Sequence, residues 1–186
     1  MPAFFSDTEY ELVRAVCARL IPTDQDPGAT EAGVVDYIDT FLGAFSFDPP
    51  RIWAGGPFSG RRGGQAAFGE FIPLSRHDEL AWRTRIEGSL GRPEREFNGP
   101  VVGLQERYRQ GLAQLGTDFS SVSGEEQDAR LRNHAEFTEL VYEHACEGMY
   151  GPPEYGGNRD LVGWRYIDFE GDAQPAGYTD AEVSEP

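Results

Sequence analysis

Three histidines and two cysteines are the side chains of this sequence best suited to acid–base, nucleophilic or metal chemistry. None stands in a spacing that such chemistry uses. His144 falls on the apolar face of a predicted helix, where a lone histidine is more often part of the core, and His77 falls in an exposed first helical turn. Cys17 and Cys146 lie too far apart for a metal motif, so we expect buried free thiols. The sequence therefore predicts no catalytic residue and no metal ligand in this chain.

An acidic turn and the absence of lysine bear on two further kinds of chemistry. The turn beginning at Asp24, "DQDPGATE", has two acids at the spacing of a calcium loop, but Gly28 comes one position early and the later ligands are misplaced. We therefore expect a turn that leads into a helix. All sixteen basic residues are arginine, so the sequence contains no lysine for Schiff-base chemistry or for a P-loop.

A glycine-rich stretch, "WAGGPFSGRRGG", interrupts the helical pattern. It follows no strand of a βαβ unit, so it fails the test for a dinucleotide-binding loop. Because aromatic residues and arginine are enriched at interface hot spots, a docking arm is the favoured interpretation. A mobile surface loop and a phosphate-binding ligand loop remain open alternatives. The candidate partner-binding residues here are Trp53, Phe58, Arg61 and Arg62.

A second irregular stretch, "GPPEYGGNRDLVGWRYIDF", follows the last predicted helix. Its glycines permit close approach of another backbone. Its aromatic rings offer a large apolar area, and each has only two side-chain torsions that binding would restrict. Because so many aromatic rings are unfavourable in water, we expect the segment either to fold back on its own chain or to meet another protein. The candidate partner-binding residues of this stretch are Tyr155, Gly156, Gly157, Asn158, Arg159, Trp164 and Tyr166.

Helices must position both stretches. Serine residues followed three positions later by an acid predict three helix N-termini, and these pairs are Ser6 with Glu9, Ser75 with Asp78, and Ser123 with Glu126. Pro100 suits the first position of a further helix. From Ser123 the helical spacing continues to about Glu147.

These elements predict an all-α fold, a compact bundle of about five or six helices. We expect a single helical domain over residues 1–186, with a Gly/Pro-rich insertion at 46–74 and an irregular, partner-contacting extension at 148–186.

The formal net charge of −16 argues against nucleic acid and anionic membranes as partners. No apolar run is long enough to insert into a membrane. The N-terminal residues show neither a secretion signal nor a twin-arginine leader, which predicts a cytoplasmic location. A periplasmic or other extracytoplasmic location is expected if a leader was removed.

Two segments carry a family resemblance: "LIPTDQDPGATEAGVVDYID" after the first helix and "ACEGMYGPPEYGGNRDLVGWRYIDF" near the end. They resemble the gluconate 2-dehydrogenase subunit 3 family, the small subunits of flavin-dependent sugar dehydrogenases. The "YGGN…GW" signature is the specific part. The sequence departs from the family pattern in lacking the twin-arginine leader and in carrying the long glycine-rich stretch.

The resemblance implies a large FAD-dependent partner of the glucose–methanol–choline (GMC) type that acts on a sugar or glycoside. FAD and the catalytic residues are expected in that partner, and no cofactor in this chain. Two alternatives stay open: a maturation or export chaperone for the flavoprotein, and an independent ligand-binding domain or enzyme that uses the Gly/Arg loop.

Overall fold

Seven α-helices and several short 3₁₀ turns make up the computed structural model, which describes residues 2–52 and 74–170. No strand occurs in these two ranges, and the prediction of an all-α fold is confirmed. Six helices have nine residues or more and the seventh has five. They are α1 (Asp7–Leu20), α2 (Val34–Leu42), α3 (Arg76–Glu87), α4 (Leu104–Leu115), α5 (Gly124–Asn133), α6 (Ala135–Tyr150) and α7 (Val162–Tyr166).

The serine caps form as the sequence predicts at α1 and α3. The Ser6 hydroxyl accepts from the Glu9 backbone N–H, and the Glu9 carboxylate accepts from the Ser6 N–H at 2.9 Å. At α5 only half of the box forms. The hydroxyl of Ser123 accepts from the Glu126 N–H, while the Glu126 carboxylate binds Arg130 at 2.9 Å.

The longest helix, α6, holds the bundle together. It packs against α1, α2, α4 and α5, and its C-terminal end meets α7. Its inward face buries apolar side chains, among them Val141, Ala145 and Met149. Apolar burial of this kind is the main stabilising term of a small bundle. None of the helices in the described part of the chain is long and apolar enough to cross a membrane.

Two predicted helix limits are wrong. The helix expected from Pro100 begins at Leu104, because Val101 makes a pair of backbone and side-chain hydrogen bonds to Ser89 and its segment is extended. The single helix expected from Ser123 to Glu147 is interrupted at His134, whose backbone (φ −118°, ψ 50°) turns the chain between α5 and α6.

Gly111 sets how closely α4 approaches α6. A Cβ atom there would lie 2.2 Å from the ring of Phe137, which real side chains never do. The short distance explains a glycine inside a helix, where it lowers helical propensity.

We therefore predict that Gly111→Ala lowers the free energy of unfolding by about 1–3 kcal/mol through overpacking, although alanine favours the helix. Denaturant unfolding followed by circular dichroism measures the loss. Gly124→Ala in α5 is the matched control, because its Cβ would meet Arg19 at an ordinary 3.4 Å. Equal stability of the two variants would contradict the packing argument.

Candidate protein-interaction site

The C-terminal stretch binds the free carbonyl groups at the end of α6. The last carbonyls of a helix have no partner within the helix and need one elsewhere. The Asn158 backbone N–H donates to the Gly148 carbonyl at 2.7 Å. The indole Nε1–H of Trp164 donates to the Tyr150 carbonyl, also at 2.7 Å. The stretch is thus the C-terminal cap of the central helix.

Asn158 is the centre of this cap and is completely buried (0% exposed). Its Nδ2 donates to the Gly151 carbonyl at 3.0 Å, and its Oδ1 accepts from the Gly163 N–H at 2.9 Å. Its φ of 45° lies in the left-handed region, which asparagine tolerates better than most residues. One side chain therefore joins the end of α6 to the start of α7.

Two glycines allow the close contact that this network needs. A Cβ on Gly157 would lie 2.1 Å from the Gly148 carbonyl oxygen, and one on Gly163 would lie 1.9 Å from the carbonyl oxygen of Met149. Any side chain at either position would push the stretch away from α6. Gly156 has a φ of +101°, which favours glycine for a different reason, the backbone conformation itself.

Arg159 fastens the other side of the stretch to α2. Its backbone N–H donates to the Ala32 carbonyl at 3.0 Å, and its guanidinium pairs with the Asp36 carboxylate. The Asp36 carboxylate also accepts from the hydroxyl of Tyr10 in α1. Burial, together with the hydrogen bond to Asp36, raises the pKa of Tyr10.

Aromatic packing completes the fold of the stretch. Trp164 is 4% exposed, and its ring meets the ring of Phe169 edge-on with centroids 5.0 Å apart. A substitution of Trp164 would therefore act first on the stability of the chain.

Beyond this internal anchor, several large apolar side chains point to solvent. We call them the C-terminal surface, and they are Tyr142, Leu161, Tyr166, Ile167 and Phe169. Half-buried Tyr150 lies between the α6 and α7 members of the group. Burial raises its pKa, with contributions from Cys146, Tyr166 and Tyr142. Contiguous exposed apolar side chains on a soluble chain mark interaction sites.

The backbone of the C-terminal surface is strained. Leu161 has a φ of +59°, a conformation that costs a branched residue about 1–2 kcal/mol, and its side chain is exposed. Asp168 also has a positive φ, of 56°. Such outliers often belong to functional surfaces.

The side chains with catalytic potential, His144 and Cys17, are buried in the core. The Tyr108 hydroxyl lies 2.9 Å from His144 Nδ1, and both residues are buried. Burial lowers the pKa of His144 to about 4 and raises that of Cys17 to about 12, so both are neutral at pH 7. The prediction that His144 belongs to the core is confirmed.

Cys146 differs from its prediction, because it is only half-buried. No cluster of three or more His, Cys, Asp or Glu side chains able to hold a metal occurs in residues 2–52 and 74–170.

The predicted partner-binding residues separate into three groups. Trp53, Phe58, Arg61 and Arg62 lie outside the described residues. Asn158, Trp164 and the glycine pair Gly156–Gly157 hold the stretch against its own chain, which answers the question of whether it folds back. Tyr155 is half-buried, whereas Arg159 and Tyr166 are exposed, and partner contact stays a prediction for them.

Sequence reasoning did not assign Tyr142 or Leu161 to the site, whereas Phe169 and Ile167 were among the apolar residues expected either to fold back or to meet another protein. The spacing of Tyr142, Cys146 and Tyr150, four residues apart on one face of α6, is the signal that could have found Tyr142.

We predict that Asn158→Ala lowers the free energy of unfolding by about 3 kcal/mol, because it leaves several buried backbone groups without partners. Asp160→Ala is the matched control: its φ of 54° imposes the same backbone penalty, but Asp160 is exposed. Denaturant titration of both variants separates the two contributions. Equal losses would show that backbone strain, and not the buried amide, sets the cost.

A known protein family matches most of the chain. Residues 7–171 match the family described as gluconate 2-dehydrogenase subunit 3. No curated protein and no solved structure gives a significant match. The matched range includes the whole helical bundle, the Asn158 network and the C-terminal surface. The chain therefore belongs to the gluconate 2-dehydrogenase subunit 3 family.

Proposed function

We propose that this chain is a non-catalytic small subunit that binds and stabilises a large FAD-dependent dehydrogenase or oxidase of the GMC type. The substrate class that we propose is a sugar or glycoside, bound and oxidised in the large subunit. Family membership supports a subunit role within a dehydrogenase complex. The chemistry would then belong to the partner, and this chain would supply a surface.

The observation that carries the proposal is the exposed, strained C-terminal surface. Tyr166 and Ile167 are each about half exposed although the adjacent Trp164 is buried. A chain that functions alone would be better served by polar residues at these two positions. Their exposure is favourable when a second protein covers them.

Charge sets the kind of partner. The formal net charge of −16 disfavours association with another strongly acidic surface. Exposed acids, including Glu143, Asp160 and Asp168, lie in the same segments as the C-terminal surface. A partner with an apolar centre and a neutral or basic rim complements this arrangement.

We predict that the double substitution Tyr166→Ser with Ile167→Ser weakens the complex with the large flavoprotein subunit by at least tenfold in Kd. The melting temperature of the isolated chain should fall only slightly, because each side chain is already about half exposed. Co-expression, purification on a tag and titration by calorimetry give the two quantities. Glu125→Ser, on the exposed side of α5, is the control and should bind as the unaltered chain does.

The unaltered chain should co-purify with a flavin-containing large subunit in fixed stoichiometry. Absence of that subunit would refute the proposed function. A large subunit that is mature, loaded with FAD and free of this chain would instead identify a maturation chaperone.

A further inference from the structure

A second group of exposed apolar side chains lies between α3 and α4. Phe97 is 94% exposed and Leu90 is 66% exposed. Val101 and Val102 of the same segment are also exposed. We call residues 88–103 the pinned loop. Together with the C-terminal surface, this loop holds all of the large hydrophobic side chains that are exposed in the described part of the chain.

The loop is held from beneath by Arg95, whose side chain is 2% exposed. Its guanidinium pairs with the Glu87 carboxylate at 2.9 Å and donates to the Gly88 carbonyl at 3.0 Å. A buried, paired arginine fixes a backbone more firmly than an exposed ion pair does. The exposed side chains of the loop therefore sit on a rigid base.

Ser89 closes the loop by joining its two ends. Its backbone N–H donates to the Val101 carbonyl at 2.9 Å, and its Oγ accepts from the Val101 N–H at 2.7 Å. The same hydroxyl donates to the Arg95 carbonyl at 3.2 Å. A loop with this many internal bonds is preorganised, which lowers the entropy cost of binding.

Leu90 repeats the strain found at Leu161. Its φ is +50°, and apart from the asparagine and aspartate positions these two leucines are the non-glycine residues with positive φ in the described chain. Each is exposed, and each lies in one of the two exposed apolar groups. Each of the two surfaces thus has an exposed leucine with a strained backbone. We therefore expect the two surfaces to have the same role.

A groove lies between the pinned loop and α6. It has a volume of about 420 Å³, and Val101 and Val102 line one side of it while Glu143 and His144 of α6 line the other. Tyr142 of the C-terminal surface is the neighbour of Glu143 on α6. A protein that covers the C-terminal surface and extends across α6 would therefore reach the pinned loop.

The charge of the loop favours a different protein over a second copy of this chain. Residues 88–103 contain two arginines and two glutamates and are neutral, within a chain of net charge −16. Two copies would bring two strongly acidic bodies together, which is unfavourable. A less acidic partner meets no such repulsion at a neutral apolar loop.

The exposed apolar area of the two surfaces also favours a permanent complex with another protein. The C-terminal surface, with five side chains about half exposed, offers roughly 500 Å². A permanent complex buries at least about 1,000 Å² per partner, about 65% of it apolar. The pinned loop adds roughly 400 Å² more, which brings the apolar total to what such an interface needs.

We infer that the pinned loop is a second contact site for the same large flavoprotein subunit, presented by Arg95 and Ser89 and centred on Phe97 and Leu90. This inference rests on the proposed function, because the occupant is the partner proposed there.

Calorimetry with the purified large subunit tests it, using Phe97→Ser and Leu90→Gly in the full chain. Each should raise Kd at least tenfold. Leu90→Gly should leave the melting temperature of the free chain unchanged or raise it, since glycine tolerates a positive φ. Exposed Asn98→Ser in the same loop is the matched control and should have no effect.

The inference is overturned if both variants bind as the unaltered chain does, or if each loss of affinity comes with an equal loss of thermal stability. If Tyr166→Ser with Ile167→Ser weakens binding and the loop variants do not, the proposed function stands and the pinned loop is excluded. If the unaltered chain binds no flavoprotein, the proposed function fails and this inference with it.

Discussion

The buried amide of Asn158 is the constraint on which the rest of the C-terminal structure depends. A side chain that is fully removed from water must satisfy its donors and acceptors within the protein. Asn158 does so with Gly151 and Gly163, and its own backbone binds Gly148. The network requires glycine at positions 157 and 163, where the backbone of the stretch lies against carbonyl oxygens of α6. Packing and backbone conformation therefore account for the glycines, the asparagine and the tryptophan of the "YGGN…GW" signature.

This anchor also explains why an apolar surface can stay exposed without collapsing. Because Asn158 and Trp164 fix the path of the chain, Tyr166 and Ile167 cannot turn inward to join the core. The loop between α3 and α4 has the same design with a different anchor, the buried Arg95. In both places a rigid base carries an exposed leucine in a left-handed conformation, which is costly for a chain that functions alone.

Local physics made much of the fold predictable. The caps at Ser6 and Ser75 depend on residues within one helical turn, and helical spacing of apolar residues indicated the bundle. The sequence could not reveal that Asn158 is buried, because its partners are carbonyls positioned by the packing of α6. The helix expected from Pro100 failed for a similar reason, since hydrogen bonds to distant Ser89 hold that segment extended.

The C-terminal stretch is anchored internally, and we propose that it presents its outer side chains to a large flavoprotein subunit. Hydroxyl-radical footprinting of the chain, free and in complex, measures the exposure of both sets of side chains directly. We predict strong labelling of Tyr166 and Phe169 in the free chain, loss of that labelling in the complex, and weak labelling of Trp164 in both states. Unchanged labelling of Tyr166 on complex formation, or strong labelling of Trp164 in the free chain, would contradict the account.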